Sequence, residues 1–113
     1  MDSIGKKINV VKEISSSLNL NNVTAIKSRA EDMKVRGDFI VSRAVANLSE
    51  LYIWTKHLLR PGGTNAMKNG WVFLKGGDLN DEILTLNRPV VEIDINLYFQ
   101  EDFFNTKKII YFN

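Results

Sequence analysis

The chain has 113 residues, 44% of them hydrophobic and 25% charged, a composition that suits one folded domain with one modest core and argues against a disordered chain. Fifteen Lys and Arg against thirteen Asp and Glu leave a formal charge of +2, too small a bias to diagnose a nucleic-acid partner by itself. Without cysteine there are no disulfides, thiol nucleophiles or thiolate metal sites, a single histidine leaves no metal site to expect, and no apolar run approaches the ~20 residues of a membrane span.

Ile4, Ile8, Val11, Ile14 and Leu18 recur at three- and four-residue spacings, which predicts an amphipathic helix over Lys6 to Leu18, capped by Asp2 or Ser3 and ended by Asn19 to Asn22. Lys12 and Glu13 interrupt the apolar stretch that a signal peptide would need after Lys6 and Lys7, so a soluble, cytoplasmic protein is expected. Val23-Thr24-Ala25-Ile26 and Phe39-Ile40-Val41 are short β-branched and apolar runs that fit buried parallel strands, with Arg29 to Arg36 between them as polar loop or short helix and Gly37 as a turn. Leu48, Leu51, Tyr52, Thr55, Leu58 and Leu59 form a helical stripe, capped by Asn47 or Ser49 and stopped by Pro61-Gly62-Gly63. A strand at Trp71 to Leu74, a short helix at Leu79 to Leu86, and strands at Val90 to Leu97 and Lys107 to Phe112 complete the pattern. Strand and helix alternate over the first three quarters, which implies βαβ units; the last two strands have no helical pattern between them and read as an antiparallel hairpin.

In this register Asp2, Ser28 to Glu31, Ser42-Arg43 and Lys75 to Asp78 fall at one edge of the sheet, the edge where open α/β sheets bind ligands. Asp2 stands where nucleotide-binding sheets place an acid for ribose hydroxyls, or is simply a helix cap. Arg29 and Glu31 flank either a purine or nothing but solvent, as a surface ion pair. Arg43 and Lys75 leave apolar strands directly, so two cations would face an anionic substrate unless their stems merely cover the strand ends. His57, near a helix carboxyl end, reads as structural, and Tyr98, Phe99, Phe103, Phe104, Tyr111 and Phe112 read as core in preference to a base-stacking platform.

The blocks Asp2-Ser3-Ile4-Gly5-Lys6-Lys7, Ser28-Arg29-Ala30-Glu31, Ser42-Arg43-Ala44-Val45, Leu59-Arg60-Pro61-Gly62-Gly63 and Leu74-Lys75-Gly76-Gly77-Asp78 together resemble the RsmG (GidB) family of small-subunit ribosomal RNA methyltransferases. Leu74 to Leu79 and Glu101 to Lys107 are similar to the Bacteroidetes-type branch. The resemblance implies S-adenosylmethionine as cofactor, 7-methylguanosine in 16S ribosomal RNA as product, and the small ribosomal subunit as partner. It also implies roles: Asp2 near the cofactor ribose, Ala30 and Glu31 near the adenine, Arg43 at the reaction centre and beside the cofactor, and Lys75 close by as a second catalytic residue that holds RNA. The acceptor nitrogen of guanine already carries an in-plane lone pair, so alignment of the partners can replace a general base, and no catalytic His or Cys is required.

The departure from the family pattern is large. Members carry a first strand and a Gly-rich loop before the acid, whereas this chain begins at the acid, and none of its seven glycines makes a Gly-x-Gly turn. The expectation is therefore a single domain, residues 1–113, with an incomplete Rossmann-like class I methyltransferase sheet: parallel strands with helices, a C-terminal antiparallel hairpin, and neither the first strand nor the glycine loop. With the family's sheet order of 3-2-1-4-5-7-6, the run at Val23 to Ile26 would lose its neighbour, and open edges would favour self-association over independent catalysis. The alternatives are a non-catalytic RNA-binding module and a purely structural α/β fragment.

Overall fold

The computed structural model describes residues 1–43, 46–102 and 106–113, which form two compact units, Met1–Lys34 and Val35–Asn113. In the first, helix α1 spans Gly5–Ser17 and Asn19 closes it with a left-handed φ of 54°. The N-cap is Ile4, not Asp2 or Ser3: Asp2 stands further back, and its Oδ1 accepts from the Ile4 amide at 2.9 Å. The acid thus orders the approach to the helix and leaves the helix's own first turn uncapped by any side chain.

The strand expected at Val23 to Ile26 is not formed. A buried strand needs a neighbour along its whole length to satisfy its amides and carbonyls. Among the described residues this segment gains only an isolated parallel bridge between Asp2 and Lys27, in which the Asp2 amide donates to the Ile26 carbonyl at 3.2 Å and the Ser28 amide to the Asp2 carbonyl at 2.9 Å. The short helix anticipated between Arg29 and Arg36 is a 3₁₀ turn, Ala30–Asp32.

The second unit is built on a four-stranded mixed sheet of β1 (Phe39–Arg43), β2 (Gly70–Gly76), β3 (Val91–Asp94) and β4 (Lys107–Phe112), in the order β1-β2-β4-β3. β1 and β2 are parallel, as expected for strands joined through a helix, and β3 and β4 form the expected antiparallel pair; β4 lies between β2 and β3 and is antiparallel to both. β3 is shorter than the sequence suggests, because the chain turns into a 3₁₀ segment at Ile95–Leu97 and buries Ile95.

Helix α2 (Leu48–Thr55) connects β1 to β2, continues as a 3₁₀ turn at Lys56–Leu58, and is capped by Asn47, whose side chain accepts from the Ser49 amide at 3.2 Å. Helix α3 (Asn80–Leu86) follows β2. The Pro-Gly-Gly stop works sterically as well as conformationally: Gly63 has φ +109°, and a Cβ there would run into the Asn69 side-chain amide.

Leu48, Trp71, Phe73, Leu79, Leu86, Ile110 and Phe112 form the buried core between the sheet and the two helices. Trp71 stacks on Phe112 with centroids 5.0 Å apart, and its indole N–H donates to the Thr55 hydroxyl at 2.9 Å, so the largest core side chain carries no unsatisfied donor. Of the aromatic residues assigned to the core by sequence, Phe112 is buried and Tyr111 half-buried, but Tyr98 and Phe99 are exposed because they follow the 3₁₀ turn that ends β3. Ala44 and Val45 of the third motif, and Phe103, Phe104 and Asn105 near the end, lie outside the described residues.

Candidate functional site

Pairing register assigns the side chains to faces, because directly opposed residues project to the same side of a sheet. Val41, Val72, Tyr111 and Val91 make one row across the four strands, and Arg43, Leu74, Ile109 and Ile93 make the next, both on the face opposite the core. Lys75 follows Leu74 and therefore belongs with Trp71 and Phe73 on the core face. The two cations expected to face one anionic substrate at the sheet edge emerge on opposite faces.

Their surroundings differ accordingly. Arg43 ends β1 at the carboxyl edge of the parallel pair, is exposed, and its guanidinium has no partner among the described residues. Lys75 is only 8% exposed. Its Nζ donates to the Ala46 carbonyl at 2.6 Å and pairs with Glu82 Oε1 at 2.6 Å. The same Glu82 oxygen accepts from the Leu48 amide at 3.1 Å, so one carboxylate ties β2 to the first residue of α2 from the first turn of α3. An anion beside the positive end of a helix dipole is favourably placed.

Beyond Lys75 the chain turns at Gly77, φ +80°, and the Asp78 carboxylate accepts from the Asn80 amide at 3.0 Å, so this acid organises the entry to α3. Sequence reading passed over Glu82. The available signal was an acid seven residues after Lys75, across a Gly-Gly turn and in the first turn of a helix, where it can meet the preceding strand.

In the first unit, the bridge to Lys27 brings Asp2 beside the segment that leads through Ser28 and Arg29 to Ala30 and Glu31. Asp2 and Ala30 are half-buried and Glu31 is exposed. Among the described residues only one Asp2 carboxylate oxygen is engaged, by the Ile4 amide, and a carboxylate's second oxygen can accept from a ligand hydroxyl.

Open α/β sheets of this class bind ligands beyond the carboxyl ends of their parallel strands, and at that end β1 carries an exposed arginine with no partner among the described residues. Residues 1–108 match the family model for rRNA small subunit methyltransferase G, GidB, and the chain belongs to that family. It is 44% identical over 111 residues to ribosomal RNA small subunit methyltransferase G of Cytophaga hutchinsonii, an alignment covering 98% of this chain and 54% of the relative. Identity to the proteins of the same name from Christiangramia forsetii and Bacteroides thetaiotaomicron is 45% and 42%, with 52% and 54% of those relatives covered. The chain thus spans about half the length of the curated relatives it matches. Among the described residues no helix is long and apolar enough to cross a membrane.

The family uses S-adenosylmethionine, and the residue set fits that cofactor in part. The free Asp2 oxygen suits a ribose hydroxyl, and the Ala30–Asp32 turn offers backbone and a small side chain to a purine edge. No Gly-x-Gly sequence is present to wrap the methionine end, so no chemical step can be built through the cofactor from these residues.

Proposed function

We propose that this chain supplies the RNA-facing edge of an S-adenosylmethionine-dependent methyltransferase that forms 7-methylguanosine in 16S ribosomal RNA, working in the cytoplasm on the small ribosomal subunit. Its two units are parts of one class I methyltransferase domain, and methyl transfer requires in addition the glycine loop that these residues do not contain. The observation that carries this reading is Arg43: an exposed guanidinium, without a partner among the described residues, at the carboxyl end of a parallel strand in a chain of this family. A planar fork of donors suits a phosphate or the O6 oxygen of guanine, which leaves the N7 lone pair free to take the methyl group, and holding the base in line with a methyl donor is sufficient catalysis for a nitrogen that already bears a lone pair. Asp2 holds the ribose of the cofactor and Ala30 and Glu31 border its adenine.

Calorimetric titration of the 113-residue chain with S-adenosylmethionine tests the cofactor half of the proposal. The expected result is no saturable heat from this chain alone, and saturable binding once a segment carrying the glycine loop is supplied; absence of binding in both cases would remove the cofactor assignment. We further propose self-association, because β1 pairs only with β2 among the described strands and Val41, midway along it, is 72% exposed in a row of apolar residues. A cooperative melt of a dilute monomer in sedimentation-controlled samples would refute it. A non-catalytic RNA-binding role uses the same Arg43 edge and is separated by the methylation assay on ribosomal subunits.

A further inference from the structure

We propose that Lys75 is a positioning residue and not an RNA contact: with Glu82 it clamps the entry of α2, and through that entry it sets where Arg43 is presented. The proposal rests on the reading of Arg43 as the RNA-facing cation.

The geometry leaves Lys75 little else to do. It continues the buried alternation Trp71, Phe73, Lys75 on the core face of β2, where its ammonium reaches the Ala46 carbonyl and Glu82 Oε1 at 2.6 Å each. A buried ammonium is retained only when charge and hydrogen bonds compensate its lost hydration, and here both come from the protein. Turning Lys75 toward a phosphate would strand the Glu82 carboxylate, whose other partner is the Leu48 amide at 3.1 Å. Leu48 opens α2 and is fully buried, so its amide is one of the helix's orphan donors and has no water to turn to. The Glu82 carboxylate therefore satisfies a helix start and a buried cation at once, and the chain between β1 and α2 is held at its α2 end by both. Arg43, three residues before Ala46 and on the other face, inherits its placement from β1 on one side and from this clamp on the other.

The two roles predict opposite signs for one substitution. If Lys75 contacts phosphate, Glu82→Gln removes a competing anion and strengthens binding of a short 16S-derived RNA to the chain. If Lys75 and Glu82 form a clamp, Glu82→Gln weakens binding in the same direction as Lys75→Met, and Arg43→Ala costs less in either variant background than in the parent. The expected results are weaker RNA binding by both single variants, that loss of additivity with Arg43→Ala, and amide exchange at Leu48 and Ser49 faster by about tenfold or more in both, as breaking a buried pair implies. Tighter RNA binding by Glu82→Gln, or unchanged exchange at Leu48, would overturn the proposal. Should Lys75→Met fail to fold, Glu82→Gln carries both measurements. If the parent chain binds no RNA, the reading of the Arg43 edge fails, while exchange at Leu48 still decides whether the clamp exists.

Discussion

The two faces of the sheet in the second unit are made by the same strands and have opposite fates. On one, Trp71, Phe73, Ile110 and Phe112 disappear beneath α2 and α3, and even a cation, Lys75, is drawn in and neutralised. On the other, two largely apolar rows run from β1 to β3 with Val41, Val91 and Ile93 in contact with solvent, and Arg43, at the β1 end of one of them, has no partner among the described residues. Strands that are apolar on both sides belong to sheets covered on both sides. The contrast teaches that a basic residue at a strand end cannot be assigned to ligand binding by its type and position alone: whether its face is packed decides what its charge is used for.

Neighbouring substitutions in β2 break this comparison most directly. Phe73→Ala, on the packed face, is expected to destabilise the chain by about 3–5 kcal/mol, enough to abolish a cooperative transition in a small domain. Val72→Ala, one residue away on the open face, is expected to cost about 1 kcal/mol or less, because Val72 is only half-buried; urea denaturation of the two variants compares them, and equal losses would mean that the open face is covered in solution. Val41→Lys is expected to change stability by less than about 0.5 kcal/mol while shifting sedimentation toward the monomer. Smallest in stability is Arg43→Ala, within about 0.5 kcal/mol, but it is expected to lower the salt dependence of RNA binding by about one phosphate contact. An unchanged slope would take Arg43 out of the RNA interface.

Most of the second unit was legible in the sequence because each element there has a partner within the chain. The stripe from Leu48 to Leu59, the Asn47 cap and the antiparallel ending at Lys107 to Phe112 all have local signals that the packing supports. Val23 to Ile26 has an equally good strand composition and forms no strand, because propensity cannot provide the neighbouring backbone that a ladder requires. The site divided in the same way. The position of Arg43 at the carboxyl end of β1 follows from the apolar run before it. The surroundings of Lys75 depend on Glu82, which is close to it only once α3 has folded back over the sheet.

The stacked pair of Trp71 and Phe112 also makes the chain its own optical reporter. Trp71 is 4% exposed with its indole hydrogen-bonded, whereas Trp54, on the outer side of α2, is 37% exposed. With Trp54 replaced by Phe, the remaining emission should be blue-shifted in the native protein and move to the red only when the sheet and α2 separate. That single fluorophore would follow the integrity of the packed face through every titration, independently of what binds at the other.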